Sequence, residues 1–352
     1  MLALRYYGNK DIRLDDIPEP QPGPGEVKVR VTHTGICATD IEEWQFGPLW
    51  VQHGGPNSLT GRETPLTMGH EVTGHIVAAG QGVDDRKVGR RVAIHNVLTC
   101  GKCFWCTRGE QAVCPNMAVA GLSGDGGLAE FMVWPADMVV PLPDTVSDEE
   151  GALVEPTTVA VRAVRNSGVK AGDNVAVIGS GTVGLLTIQG FKASGAAVIA
   201  VDVREQSLMM AKKLGADHLV NAAAADAGQE LLDLTDGIGP DIVAETAGAS
   251  RTPVTAIRWT RRGGTTVLVG IYSAKPEMDF NDIVGVERKV VGSVAAGPGD
   301  MQAAVSLIGA GRIKVKDLIT ANVPLSRVIE DGFERMLRPQ KDVFRILISP
   351  GE

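Results

Sequence analysis

Between residues 174 and 202 the chain reads strand, glycine turn, helix, strand, and this run limits the fold more than any other. Asn174–Ile178 is an apolar segment of strand length. Gly179-Ser180-Gly181-Thr182-Val183-Gly184 follows directly, residues 184–194 have helical character, and 197–201 are apolar again. A lone G-x-G-x-x-G is weak, because glycine is common. Here the strand before, the helix after and an acid downstream agree. Gly179 permits a tight turn, Gly181 a close approach by a pyrophosphate, and Gly184 close helix–strand packing. The anion would rest on the helix N-terminus. Asp202, 18 residues past Gly184, suits ribose hydroxyls and repels a 2′-phosphate, which selects NAD. Arg204 is the residue type able to hold a 2′-phosphate instead. A helix at 206–214 closing at Gly215 and strands at 241–245, 265–270 and 289–294 continue the alternation. Such a chain builds a parallel sheet covered on both faces.

The first half reads differently. Pro22-Gly23-Pro24-Gly25 is a turn, after which Val27, Val29 and Val31 alternate with Lys28 and Arg30. Further β-branched runs lie at 75–79 and 91–95. A twisted, barrel-like β domain over 1–155 is expected, then an α/β domain over 156–295 entered through a helix at 157–166. A tail over 296–352 returns to the first domain, with one helix and a few short strands in 301–348. The 352 residues suit two domains. An Ala-rich patch at 222–225 is the only compositional bias.

Five cysteines are present, and four fall within fifteen residues: Cys100, Cys103, Cys106 and Cys114. An odd number in a long chain does not suit a secreted disulfide framework. Four thiolates at this spacing can close a tetrahedron around Zn²⁺, in a lobe over about 95–116. With every position filled by protein, that zinc is structural. Cys114-Pro115 matches the end of a bacterial ferredoxin pattern, but seven residues rather than three precede Cys114. Four buried free thiols are the bland alternative.

Cys37, His70, Glu71 and Glu155 each have a dull reading: a buried thiol, a core histidine, a segment-ending acid. Their spacing does not join them. In order, however, Gly35-Ile36-Cys37-Ala38-Thr39-Asp40, Gly69-His70-Glu71, the four cysteines, Glu155-Pro156 and the glycine turn resemble the zinc-containing medium-chain dehydrogenases over essentially the whole chain. Glu155-Pro156 resembles the polyol branch. The insert from Gly47-Pro48-Leu49-Trp50 to Leu59-Thr60-Gly61-Arg62-Glu63, with the run Gly121 to Glu130, is most similar to the butanediol dehydrogenase subfamily.

The resemblance implies a Rossmann doubly wound parallel-sheet domain and a GroES-like β-barrel catalytic domain. It implies a catalytic zinc on Cys37, His70 and either Glu155 or Glu71, and NAD contacts from Gly179, Gly181, Thr182, Val183, Gly184, Asp202, Arg204, Val269, Gly270 and Ile271. Thr39 fits the hydroxyl that takes the substrate proton. Glu42 stands where the family often has a relay histidine, five positions after the cysteine. Trp44, Trp50, Ile271 and Tyr272 are candidate pocket walls, and equally candidates for ordinary packing. The implied reaction is hydride transfer between NAD and a secondary alcohol, a vicinal diol such as 2,3-butanediol (or acetoin in reverse) before sorbitol or threonine. A catalytically silent relative is the rival class.

The net charge of −8 provides no electrostatic footprint for nucleic acid or an anionic membrane. No Lys/Arg cluster flanks the cysteines, against a zinc-ribbon nucleic-acid binder. No signal peptide or spanning apolar run is read, so a cytoplasmic location is expected. By resemblance the chain forms a homodimer or homotetramer, with 289–294 at a subunit contact.

Overall fold

The computed structural model describes residues 1–224, 226–272, 275–338 and 343–351. Position 225 of the Ala-rich patch lies outside them. The chain forms two compact units: Met1–Glu155 with Ala296–Ala310 and Val315–Glu352, and Pro156–Ala295 with Gly311–Lys314.

Unit 1 is mostly β structure. Its early strands are β1 (Leu2–Gly8), β2 (Asp11–Asp16), β3 (Glu26–Gly35), β4 (Leu66–Thr67), β5 (Glu71–Ala79) and β6 (Arg91–Ile94). The short β7 (Val97–Leu98) and β8 (Ala118–Val119) pair with each other and close the base of the four-cysteine lobe. β9 (Phe131–Pro135) and β10 (Val139–Pro141) follow. β9 alternates between buried and half-buried positions, the period of a strand with one covered face. β3 departs from the expected alternation. Lys28 is only 5% exposed. Its ammonium pairs with Glu19 and lies 4.7 Å from the centre of the Phe131 ring, so charge pairing and cation–π attraction let a lysine face inward. Helix α1 (Ala38–Phe46) leaves the end of β3, and α2 (Asp148–Ala152) and α3 (Val154–Ser167) lead out of this half of the chain.

In unit 2, β11 (Asn174–Ile178), α4 (Thr182–Ala193), β12 (Ala197–Asp202), α5 (Glu205–Lys213), β13 (His218–Asn221), α6 (Ala227–Asp233), β14 (Ile242–Glu245), α7 (Thr252–Trp259), β15 (Thr265–Leu268), α8 (Asn281–Val284) and β16 (Lys289–Gly292) alternate as expected. The six strands are parallel, in the order β13-β12-β11-β14-β15-β16. Nearly every residue of β11, β12 and β14 is buried, as two covered faces require. The order reverses between β11 and β14, the switch point at which such sheets bind ligands. β15 stops two residues before the expected end because the N–H groups of Val269 and Gly270 both turn back to the Glu245 carbonyl, at 2.9 and 3.1 Å.

The tail contributes α9 (Asp300–Gly309), β17 (Ile319–Pro324), α10 (Glu334–Leu337) and β18 (Arg345–Ser349). The expectation of one helix there was too low: a π-helical turn, Val328–Phe333, runs into α10 and buries Val328 and Phe333. The sequence signal was present as apolar residues three and four apart. β18 inserts between β3 and β17, completing the sheet β10-β6-β5-β3-β18-β17, with β9 also on β3. No helix among the described residues is long and apolar enough to cross a membrane.

Phe191 of α4 is fully buried. Phe191→Ala is expected to cost about 3–5 kcal/mol, read as a lower urea midpoint for unit 2.

Candidate metal centres and cofactor site

Two chain segments bring the first cluster together. Cys37 is the N-cap of α1, His70 precedes β5 and Glu71 opens it. β3 pairs with β5 so that Gly35 lies opposite Glu71. A side chain at Gly35 would meet the Glu71 carboxylate, since its Cβ would stand 2.1 Å from Oε2. Ligand atoms of Cys37, His70 and Glu71 all lie within 4.8 Å of one another. His70 is 6% exposed and Glu71 wholly buried.

This cluster is electrostatically unfinished. His70 Nδ1 and both Glu71 carboxylate oxygens are buried without a hydrogen-bond partner. Asp40 stands 3.5 Å from His70 Nδ1, and its other oxygen accepts the Cys37 N–H at 2.9 Å. The buried Arg345 of β18 forms an ion pair with Glu71 at 3.0 Å, without hydrogen-bond alignment, and donates to the Ile36 carbonyl. Burial drives the Glu71 pKa up to about 7, with Arg345 opposing and Glu155 adding to the rise. For His70 burial lowers the pKa, but Asp40 and Cys37 beside it prevail and hold it well above 6.5. A thiol, an imidazole and a carboxylate with unmet buried atoms are a donor set for zinc, and three protein ligands leave a fourth position open. Glu155 stands outside this trio. It is half-buried, Asn96 Nδ2 donates to its Oε1 at 2.9 Å, and burial raises its pKa. Thr39 Oγ1 lies 3.7 Å from Cys37 Sγ. Glu42 sits one turn further along α1, half-buried, its pKa raised by burial and then by Glu43.

The second cluster is closed. Sγ atoms of Cys100 and Cys106 are 4.0 Å apart, Cys103 and Cys114 3.9 Å, and Cys114 and Cys100 3.6 Å. Zn–S bonds of about 2.3 Å give tetrahedral edges of about 3.8 Å, so these three pairs already have the spacing a zinc ion needs, and all four sulfurs lie within 4.8 Å of one another. The Lys102 N–H, ahead of weaker neighbours, lowers the Cys100 pKa to about 6, favouring thiolate.

At the switch point of unit 2, Gly179 has φ +93°, and a Cβ on Gly184 would stand 1.9 Å from the Gly179 carbonyl. Gly181 differs: a Cβ there would meet no protein atom within 4 Å. Packing within the unit therefore does not require a glycine there, and the space beside it is open. Gly181 is the N-cap of α4 and no side chain caps that helix, whose first turn contains Thr182 and Val183. Ser180 Oγ is buried without a partner. Asp202 accepts the N–H groups of Ser180 at 2.6 Å and Arg204 at 2.9 Å, tying the turn to the end of β12. These features fit a dinucleotide whose pyrophosphate lies on the helix end.

Of the four candidate pocket walls, Trp44 packs edge-on against Phe333, 5.8 Å between centres, in the core of unit 1. Trp50 and Ile271 are exposed, at 56% and 51%. Tyr272 leads to a residue that sequence reasoning missed. Its hydroxyl donates to Glu245, a fully buried carboxylate that ends β14. Glu245 also accepts from the Ala247 and Gly248 N–H groups, each at 2.9 Å, and from Thr252 Oγ1 at 2.6 Å. One carboxylate therefore binds the loop after β14 to the loop after β15, where Val269, Gly270 and Ile271 lie. The only sequence signal was an acid ending an apolar strand. Glu245→Gln removes acceptor capacity from this hub and is expected to cost about 1–3 kcal/mol, measurable as a lower unfolding temperature.

Comparison with known proteins agrees with this geometry. A family model for the alcohol dehydrogenase GroES-like domain matches residues 23–144, and one for zinc-binding dehydrogenases matches 182–310. The (R,R)-butanediol dehydrogenase of Bacillus subtilis (strain 168) is 37% identical, over 99% of this chain and 100% of its own. The crystal structure of the 2R,3R-butanediol dehydrogenase from Bacillus subtilis superposes with a TM-score of 0.92 over 99% of both chains, also at 37% identity. The sorbitol dehydrogenase of Bacillus subtilis (strain 168) is 31% identical over 99% of this chain and 97% of its own. An alcohol dehydrogenase from Escherichia coli CFT073, solved with NADH, is 28% identical with a TM-score of 0.90 over 99% of both chains. With likeness running end to end through both units, a four-cysteine cluster of zinc-ligand type and a glycine turn at the sheet's switch point, the chain belongs to the zinc-dependent medium-chain alcohol dehydrogenases.

Proposed function

We propose that this enzyme interconverts a small vicinal diol and its hydroxyketone, 2,3-butanediol and acetoin being the leading pair, with NAD as hydride carrier. The observation that carries the reading is the buried Cys37–His70–Glu71 cluster with its unmet ligand atoms, in a chain similar to butanediol dehydrogenase from end to end.

Cys37, His70 and Glu71 hold the catalytic zinc, and Glu155 stands by as a neighbouring carboxylate. When bound, zinc supplies Lewis-acid polarisation of the substrate oxygen and NAD supplies the hydride acceptor. Asp40 lies 3.5 Å from His70 Nδ1 and accepts the Cys37 N–H, so one carboxylate helps to place both side chains. Arg345 offsets part of the negative charge that Glu71 adds. Thr39, on the first turn of α1 beside Cys37, takes the alcohol proton through Oγ1. Glu42 lies three residues on, along the same helix face, and serves as the outer proton acceptor where relatives often carry histidine. In unit 2, Gly181 and the first turn of α4 receive the pyrophosphate. Asp202 disfavours a 2′-phosphate, so NAD is preferred to NADP. The four-cysteine lobe holds a second, structural zinc. The enzyme works in the cytoplasm as a homo-oligomer.

The insert that begins at Gly47 motivates the diol assignment. A panel of butane-2,3-diol, sorbitol and L-threonine, each with NAD and with NADP, is expected to give the highest kcat/KM for butane-2,3-diol with NAD. Threonine or sorbitol as best substrate would overturn the assignment. Metal analysis separates the two centres. Cys37→Ser is expected to lose one zinc of two and about a thousandfold or more in turnover with little change in melting temperature. Cys103→Ser should lose the other zinc and melt several degrees lower. The reverse pattern would exchange the roles of the two sites.

A further inference from the structure

Unit 2 contains a second concavity, apart from the glycine turn. It encloses about 510 Å³, within the span of about 300–1,000 Å³ usual for small-molecule sites. Its residues 237–239 precede β14 and residues 258–262 precede β15. It therefore opens at the N-terminal ends of these parallel strands. The glycine turn follows the C-terminal end of β11, at the opposite edge of the same sheet.

Four arginines line the cavity, Arg258, Arg261, Arg262 and Arg288, and no acidic side chain does. In a chain of net charge −8 this is a local reversal of sign. Part of it is structural. Arg288 donates to the carbonyls of Thr260, Arg258 and Asp282, which closes the C-terminal end of α7. Cations suit a helix C-terminus, and one guanidinium suffices for that. Arg258 and Arg261 each turn only Nε to a carboxylate, Asp282 and Asp241, both at 2.7 Å. Arg262 is exposed. Two carboxylates thus pair directly with two of the four guanidiniums, and Asp279 adds a weaker negative charge near Arg258. Burial lowers the Arg288 pKa; Asp282 opposes the fall and Arg262 adds to it. The remaining wall is apolar. The half-buried Trp259 packs on the core of the unit, with Leu232 and Ile238 exposed at 37% and 66%.

We propose that this cavity binds a small organic phosphate with a planar apolar body, an aryl phosphate in the simplest form. The phosphate oxygens take the outward N–H groups of Arg258 and Arg262, the fork geometry that suits guanidinium to phosphate. The ring lies against Trp259 and Ile238.

The test is calorimetric titration of the full chain saturated with NAD, so that the glycine-turn site is filled. Phenyl phosphate is the probe, with inorganic phosphate and phenol as its two halves. Phenyl phosphate is expected to bind one site per chain, at least about tenfold more tightly than either half. Arg262→Glu should weaken it about tenfold or more with an unchanged melting temperature. Arg262→Gln, the milder change, should give a smaller loss and keeps the test alive if the glutamate variant folds poorly. Absence of binding, equal affinity for phosphate and phenyl phosphate, or undiminished affinity in both variants would overturn the proposal and leave the arginines as caps of α7 and its loop.

Discussion

Burying ionisable groups without enough positive charge is the constraint around which unit 1 is organised. Asp40, Glu71, His70 and Arg345 are all nearly inaccessible, and Glu155 is half-buried beside them. Removing such groups from water costs several kcal/mol each unless they are paired. Arg345 is the one permanent cation in the set, and it stands against Asp40, Glu71 and the Cys37 thiol. Burial consequently pushes Glu71 toward its neutral form. A divalent cation at the unmet ligand atoms resolves the imbalance, so the charge deficit and the metal site are one feature. Register makes it possible. Gly35 lies opposite Glu71 on one side and opposite Leu347 of β18 on the other, so β3, β5 and β18 deliver Cys37, Glu71 and Arg345 to one place. A slip of one residue would turn Glu71 to the other face of its strand.

The two cysteine-bearing centres divide the work of one metal. In the lobe, three of the six sulfur pairs are 3.6–4.0 Å apart and all four sulfurs lie within 4.8 Å of one another, a set able to fill every corner of a tetrahedron. Nothing else can bind there, and its energy goes into holding a loop with little regular structure. The Cys37 cluster has three ligands and an unsatisfied environment, the arrangement that leaves a corner for substrate.

The fold was legible where one local pattern carries the information. Strand, glycine turn, helix and acid lie within thirty residues, and the cysteines within fifteen. Features assembled across the chain were not. Glu71 and Glu155 are equivalent as letters; only strand pairing brings Glu71 to Cys37 and His70. Arg345 is a single charge in Phe344-Arg345-Ile346-Leu347-Ile348, and its partner lies 274 positions earlier, by the numbering of the pair. The Glu245 carboxylate accepts from two backbone N–H groups, which any residue supplies, and from two hydroxyls 7 and 27 positions away, so no spacing rule marks it. Lys28 looked solvent-facing because period two assigns a face but does not reveal an acid and a ring waiting on it.

Helix α1 joins chemistry to selectivity. Cys37 caps its N-terminus. At the other end Glu43, fully buried, accepts the N–H groups of Leu49, Trp50 and Val51, with Leu49 N at 2.9 Å and Val51 N at 3.2 Å. A carboxylate that holds three consecutive N–H groups fixes the backbone at the start of the insert. It leaves the side chains of Leu49 and Trp50 exposed, at 51% and 56%. The nine-residue helix thus has Cys37 as its N-cap at one end and, through Glu43, the pinned start of the insert at the other. The contacts that place the start of the insert are made by its backbone and Glu43, so they do not depend on the side chains of Leu49 and Trp50.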